Sequence, residues 1–367
     1  MLAPRVAPAL PMFGGGRGDA CSECHLAVPR LGMGGVAFLL NGERPGGAMV
    51  ASHPSTAAFP LSFTATLGAS VSRRGPGLGR DGLESLTTDT AGLQSFTLHA
   101  AGDEWRRLSY RFAVEARDHT LDTEQAYLQL NDALPAGRLN LKLGAYRAEL
   151  PFLSNELRTT LHEYLAPVTV NARGVELNGA ASRWSYGAGV VESERDFPGR
   201  GPVAETLDRL QDGEYWVMRS AGQDALGARM LFDRQNSTLP SLTWMQHIQA
   251  EVGGLIVAGR LTLLPGYVFD RFDDRPAAGI HEHHHYALLE ALAPLDSRRR
   301  WTLTARYEHD YRVQTVLTRE WDRQLGLLNL SFAPIPNASI AAEWAGTADN
   351  FEHREVSMLE LGIHITR

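Results

Sequence analysis

The chain contains two cysteines, and both fall in one pentapeptide, Cys21-Ser22-Glu23-Cys24-His25. Paired thiols at this spacing, followed at once by an imidazole, match the attachment of a c-type haem. The sulfurs form thioethers with the porphyrin vinyl groups, and the histidine becomes an axial iron ligand. One covalent haem c is therefore expected, with Cys21 and Cys24 as anchors and His25 as the proximal ligand. A disulfide across so short a loop is geometrically awkward. A redox dithiol would sit on a βαβ pattern that the sequence lacks. The remaining reading of the same residues is half of a zinc site, completed by two histidines. Met33, Met49 and His53 are candidates for the second axial ligand. Met49 and His53 are favoured, because Met33 lies close to His25 and reaches the opposite face less easily. A methionine there would raise the reduction potential relative to a second histidine.

A second constellation, His281-Glu282-His283-His284-His285, offers imidazole and carboxylate donors that suit iron or zinc. The plainer reading, a polar loop beside a strand, is preferred. Asp270, Asp273 and Asp274 just upstream are interrupted by Arg271 and Arg275, a mixed run that reads as a solvated loop. The sequence has no Gly-x-Ser-x-Gly, no phosphate-binding glycine loop and no dinucleotide fingerprint, so hydrolase and nucleotide chemistry are unsupported.

The elements that must carry these residues are mainly β. Of 367 residues, 44% are apolar and 21% charged, which is the composition of an ordered protein. A net charge of −7 gives no basic footprint and argues against nucleic acid as a partner. No stretch approaches the ~18 consecutive apolar residues of a membrane-spanning helix, but barrel strands alternate their two faces and never look greasy on average.

Composition shifts near residue 58. Residues 1–58 hold the haem motif among Gly-rich and Pro-rich runs, with an apolar helical candidate from Leu31 to Leu40. So short a segment must fold around its haem, against the rest of the chain, or both. In residues 59–367 the dominant period is two. Leu61, Phe63, Ala65 and Leu67 alternate with Ser62, Thr64 and Thr66; Leu139, Leu141 and Leu143 alternate with Asn140, Lys142, Gly144 and Tyr146; Trp301, Leu303 and Ala305 alternate with Thr302, Thr304 and Arg306. Successive side chains of a strand point to opposite faces, so these are half-buried strands.

A soluble β-sandwich or propeller and a membrane barrel both produce this pattern. The barrel is favoured on three grounds. The strands are about ten residues long, enough to cross a bilayer at a tilt. Their polar faces carry Arg, Lys, Glu and Gln, as a watery lumen permits. Aromatics (Trp105, Tyr146, Trp184, Tyr186, Trp244, Tyr267, Trp301, Trp344) recur near strand ends, as in an interfacial girdle. The fold expected is an outer-membrane antiparallel β-barrel of about 14–16 strands, with the N-terminal haem segment as its plug or cap. Loops are expected at 73–90, 150–172, 192–213, 270–285 and 345–354. The segment 150–172 is the least strand-like, and a short helix folded into the lumen is expected there.

The residues around the haem motif also carry a resemblance. Pro11, Phe13, Gly18, Cys21, Cys24, His25, Pro29, Leu31, Gly35, Phe38 and Gly42 stand in register with the pattern of the outer-membrane monohaem cytochrome–porin fusions of iron(II)-oxidising bacteria. The chain departs from that pattern at Gly15 and Arg17, where an arginine and a threonine are usual. Gly34 and Glu43 replace two aromatics, which thins the expected shell around the haem. The resemblance implies packing of Leu31, Val36 and Phe38 against the porphyrin. It also implies electron transfer from an extracellular donor, with Fe(II) as the family's, to a periplasmic carrier such as a cytochrome c. On that reading the protein is an electron-transfer protein with Fe(II)-oxidase character, lying in the outer membrane against its lipid. The alternatives are a haem-plugged solute porin or redox sensor without sustained electron flow, and a soluble periplasmic β-protein with a haem appendage. Haem attachment occurs outside the cytoplasm, so export is expected. The N-terminal MLAPRVAPALP nevertheless lacks the charged and apolar regions of a signal peptide.

Protein matured with the haem-attachment machinery should show a c-type α band on reduction and retain haem stain after denaturing electrophoresis. Cys21→Ala/Cys24→Ala should lose both signals; a retained stain would sink covalent attachment.

Overall fold

The computed structural model describes residues 25–27, 30–31 and 35–36, and all of 61–366 except 75–86, 105–106, 118–119, 135–137, 149, 155–157, 166–169, 195–211, 236–241, 277–279, 298, 315–318, 336–337 and 350–353. A short antiparallel hairpin comes first, β1 (His25–Ala27) and β2 (Arg30–Leu31), with His25 opposite Leu31. The barrel begins with β3 (Leu61–Arg74), β4 (Thr87–Glu104), β5 (Leu108–Arg117), β6 (Thr120–Leu134), β7 (Leu139–Ala148) and β8 (Val170–Ala181). It continues with β9 (Trp184–Glu194), β10 (Asp212–Ala221), β11 (Asp224–Gln235), β12 (Leu242–Ala258) and β13 (Leu261–Pro276). It ends with β14 (Ile280–Pro294), β15 (Trp301–Gln314), β16 (Arg319–Ile335), β17 (Ala338–Asp349) and β18 (Arg354–Thr366). These sixteen strands form one closed antiparallel barrel, each paired with its neighbours in sequence, and β18 closes on β3 from Val356↔Arg74 to Thr366↔Thr64.

Closure fixes the orientation. The turns after β8, β10, β12 and β16 are two residues long, whereas 75–86, 149–169 and 195–211 span the opposite end. Short turns mark the periplasmic side of such barrels and long loops the extracellular side. Gly222 and Gly259 open two of the tight turns with φ of +67° and +65°, the positive values that match the right-handed twist of the flanking strands. Because β3 starts at the end that bears the short turns, residues 1–60 join the barrel from the periplasmic side.

The two faces differ as the alternation required. Leu143, Leu289, Leu328, Leu359 and Ile363 point outward and are exposed. Glu176, Arg229, Glu251, Glu290, Arg306 and Glu343 point inward and are buried. Trp301, stacked on Phe332 at 4.4 Å, marks one edge of the outer band on β15. Tyr311 lies ten residues on. At about 3.4 Å per residue and the usual tilt that spans roughly 26 Å, close to the apolar band of about 25 Å that an outer membrane needs.

Three expectations are corrected. Strands β13 and β14 reach to Pro276 and back from Ile280, so the loop expected at 270–285 shrinks to 277–279. The loop expected at 345–354 shrinks to 350–353. Strands that project beyond the bilayer carry polar residues on both faces and therefore look like loops. Tyr146 does not join the girdle: it faces inward and is buried. The alternation of β7 had already set it on the face of Asn140 and Lys142. Trp184, Tyr267, Trp301 and Trp344 are exposed on the exterior, as a girdle requires.

Replacing outward Leu328, near the middle of the band, with Arg should cost about 2–4 kcal/mol, against about 0–1 kcal/mol for Gln324→Arg near the rim. Denaturant unfolding in lipid vesicles reads the difference, and equal costs would contradict the band.

Candidate functional site: the lumen and its constriction

Between β7 and β8 the chain leaves the wall and enters the lumen. Pro151–Leu153 form a 3-10 turn whose Phe152 and Leu153 are buried. They settle where the facing wall has no side chains: a Cβ on Gly227 would meet Phe152 at 2.9 Å, and one on Gly266 would meet Leu153 at 2.6 Å. Further along, Leu161 fills the space above Gly362 of β18 in the same way.

Polar anchors hold the rest of the segment by its backbone. The Glu343 carboxylate on β17 accepts from the N–H groups of Leu161 and His162, both at 2.7 Å, and from Asn329 Nδ2 at 2.8 Å. Glu308 on β15 accepts from the N–H of Leu165 at 2.6 Å. Arg306 donates to the carbonyls of His162 (2.8 Å) and Glu163 (3.0 Å) and to Thr160 Oγ1 (2.8 Å). Its guanidinium also lies 4.6 Å from the ring centre of Tyr164, whose hydroxyl donates to Glu290 at 3.2 Å. Charge-assisted bonds of this kind are among the stronger ones available to a protein. The segment therefore forms a narrowing of the lumen, seated on β11–β18.

The largest of three buried apolar clusters among the described residues lies beside it. Met218, Leu255, Leu264 and Leu292 face inward close to the short turns and pack in one cluster with Phe152, Leu153 and Tyr164. Val36, from the segment that carries the haem motif, belongs to the same cluster and is 2% exposed. On the other flank Lys142 pairs with Glu176 at 2.8 Å, and Arg229 bridges Glu251 (2.7 Å) and Glu214 (3.4 Å).

Of the residues singled out in the sequence, Cys21, Cys24, Met33, Met49, His53 and Phe38 lie outside the described residues. His25 and Leu31 lie opposite each other in the β1–β2 hairpin. The histidine run is not a loop but part of β14, and the strand divides it. His283 and His285 face outward, where Phe269 stacks on His283 (6.0 Å) and Tyr267 bonds His285 (2.7 Å). His284 faces inward, bonded to Glu282 and, at 2.9 Å, to Tyr286. Among the described residues no group of three or more His, Cys, Asp or Glu is arranged to hold a metal ion. Asp270, read as part of a solvated loop, is instead fully buried and bonded to His247 at 3.1 Å. As anchors, Glu343, Glu308 and Arg306 were all missed in the sequence, where Arg306 and Glu308 read only as polar members of the alternation that begins at Trp301.

Comparison with known proteins places the fold. No family model matches the sequence, and no curated protein does. Among solved structures, the outer-membrane channel DcaP of Acinetobacter baumannii is similar over 87% of this chain and 100% of its own, with a TM-score of 0.62 and 12% identity. A loop-deleted form of the outer-membrane protein OmpT of Vibrio cholerae covers 85% and 100%, at 0.59 and 13%. The anion-selective porin from Comamonas acidovorans covers 84% and 99%, at 0.57 and 10%. With its closed antiparallel wall and apolar exterior, the protein is a β-barrel of porin fold in the bacterial outer membrane.

Two outcomes follow from the anchored segment. Glu343→Ala removes both acceptors of the Leu161 and His162 amides, so protease cleavage within 158–165 should rise at least about tenfold, the factor that a loss of about 1.5 kcal/mol carries. Unchanged cleavage would show that the carboxylate is not an anchor. Burial, with Arg306, Arg323 and Arg158 nearby, pushes His162 down to about 4 from its ordinary 6.5. A released loop binds the proton more tightly than the seated one, so the seated state is fully stable above pH 6.5 and loses stability as pH falls towards 4. Amide exchange across 158–165 should quicken over that window in the parent and not in His162→Asn.

Proposed function

We propose that this barrel works as an electron-transfer cytochrome–porin, in which the N-terminal segment carries one haem c and passes electrons between an extracellular donor, Fe(II) by resemblance, and a periplasmic carrier. The observation that carries this reading is the burial of Val36 inside the barrel. Val36 is eleven residues beyond His25, and it lies in the lumenal cluster with Phe152, Leu153 and Tyr164. A segment that joins the wall from the periplasmic side and reaches that cluster is suited to plug the β10–β14 side of the lumen below the constriction.

The donor set fits the group. Two thiols and an adjacent imidazole are what covalent haem attachment needs, and the cluster around Val36 supplies the apolar, water-poor surroundings that a porphyrin favours. Cys21 and Cys24 would hold the haem, and His25 would ligate its iron. A bound haem supplies a one-electron centre whose potential is set by its axial ligands and burial. The rest of the work belongs to the chain. The barrel insulates a path through a layer otherwise closed to charge. The segment at 150–165 narrows that path, and the periplasmic junction at Leu61 leaves the plug within reach of a soluble carrier.

The second reading, a haem-plugged solute porin or redox sensor, is favoured by one feature: the inward side chains of β3 and β18 remain half-exposed beside the constriction. Purified, oxidised protein mixed anaerobically with Fe(II) separates the two. Growth of the reduced α band, followed by its appearance on an oxidised soluble cytochrome c once excess Fe(II) has been removed and the two proteins have been mixed and separated, is expected for the electron-transfer protein. A haem that dithionite reduces and Fe(II) does not would overturn Fe(II) as donor. Absence of haem from the matured protein would remove electron transfer altogether.

A further inference from the structure

The constriction segment does not fill the lumen evenly. Against β11–β17 it buries the inward wall almost completely, as at Leu264, Glu290, Thr304, Leu325 and Asn329. Its leading edge stops at β18, where Leu161 meets Gly362. Beyond that edge the inward residues of β18 and β3 are half-exposed: Met358, Glu360 and His364 on one strand, and Thr66, Ser70 and Ser72 on the other. A wall facing the inside of a closed barrel has such exposure only where water reaches it. The side chains it offers are mostly hydroxyls, and Glu360 is the one carboxylate among the half-exposed inward residues of these two strands.

The charges around Glu360 point the same way. Glu343 faces it directly across β17 and β18, and Ser70 lies opposite on β3. Glu343 and Arg158 act on it electrostatically. Arg158 pairs with Glu163 at 3.7 Å, on the segment itself, so its cation is partly offset. Among the inward residues of β3 whose side chains are described, Thr64, Thr66, Ser70 and Ser72 are neutral, and His364 on β18 is bonded to Thr66 at 3.3 Å; Arg74 and Arg354 share the inward parity only at the far, extracellular ends of the two strands. A charged group on a low-dielectric pore wall sets the sign of the ions it concentrates.

We propose that a narrow water-filled passage runs between the constriction and the β18–β3 wall, and that Glu360 makes it selective for small hydrated cations. The barrel fold leaves the sign of selectivity open, because function resides in the side chains grafted on it. The inference rests on the channel half of the reading above and is independent of the haem. It goes beyond that reading by naming a route from the extracellular mouth into the lumen and the chemical class admitted.

The test is the reversal potential of the whole purified protein in a planar bilayer under a KCl gradient, with circular dichroism to confirm that each variant is folded. The parent should favour K+ over Cl−. Glu360→Gln should lower that permeability ratio about sevenfold, because one kT of potential raises the cation and lowers the anion by about threefold each, and Glu360→Lys should invert it. Moving the carboxylate to the facing strand, in Glu360→Gln/Ser70→Glu, should restore the parent's preference. Conductance with the same reversal potential in all of these proteins would overturn Glu360 as the selecting group and leave the channel standing. No conductance in the folded parent would show that there is no passage and would overturn the channel reading with it.

Discussion

In hydrocarbon an unpaired backbone N–H or C=O has no water to turn to, and each such group costs several kcal/mol. An open sheet has two edges of them. The pairing of β18 with β3 removes both, and nearly everything else follows from it. Closure forces one face of every strand outward into lipid and the other inward. It brings residues 61 and 366 to the same rim, and it turns the long connection between β7 and β8 into a segment with a cavity beside it. A register slip of one residue in β14, β15 or β17 would put Glu290, Arg306 or Glu343 into lipid, so the polar interior also polices the pairing.

The lumen that results is divided in height and around its circumference. Near the short turns of β10–β14 the inward wall is apolar, through Met218, Leu255, Leu264 and Leu292. At middle height it is ionic, with Arg229 and Arg306 each shared between carboxylates. On β18 and β3 it is hydroxylated. The apolar part has a partner in Val36, and the ionic part has one in the backbone of the constriction segment. The hydroxylated part stays half-exposed. Burying so many charges is tolerable because each named here is matched within the same lumen.

The strand pattern was legible because the alternation is a local property. Trp301 to Arg306 could be sorted into two faces by parity alone, and the structure keeps every one of them on its side. The inward fold of 150–165 was also legible in outline, since Leu150-Pro151-Phe152-Leu153 breaks the alternation. The anchors were not. Nothing near Glu343 in the sequence says that its carboxylate meets the amides of residues about 180 positions earlier. That is a product of closure, and closure is non-local. The histidine run misled for the opposite reason: five polar residues in a row read as a loop, yet a strand above the bilayer edge can be polar on both faces. The haem motif remains where the sequence put it, a statement about Cys21, Cys24 and His25 made by their chemistry.

The grip on the constriction falls on the main chain. Glu343 takes the amides of Leu161 and His162, Glu308 takes that of Leu165, and Arg306 takes the carbonyls of His162 and Glu163. Every amino acid except proline presents those same groups. Evolution can therefore rewrite the side chains that this segment turns towards the open wall while the clamp goes on recognising an unaltered backbone. A lineage built on this scaffold can drift from one permeant solute to another by substitutions in a few loop codons, with no compensating change in the barrel.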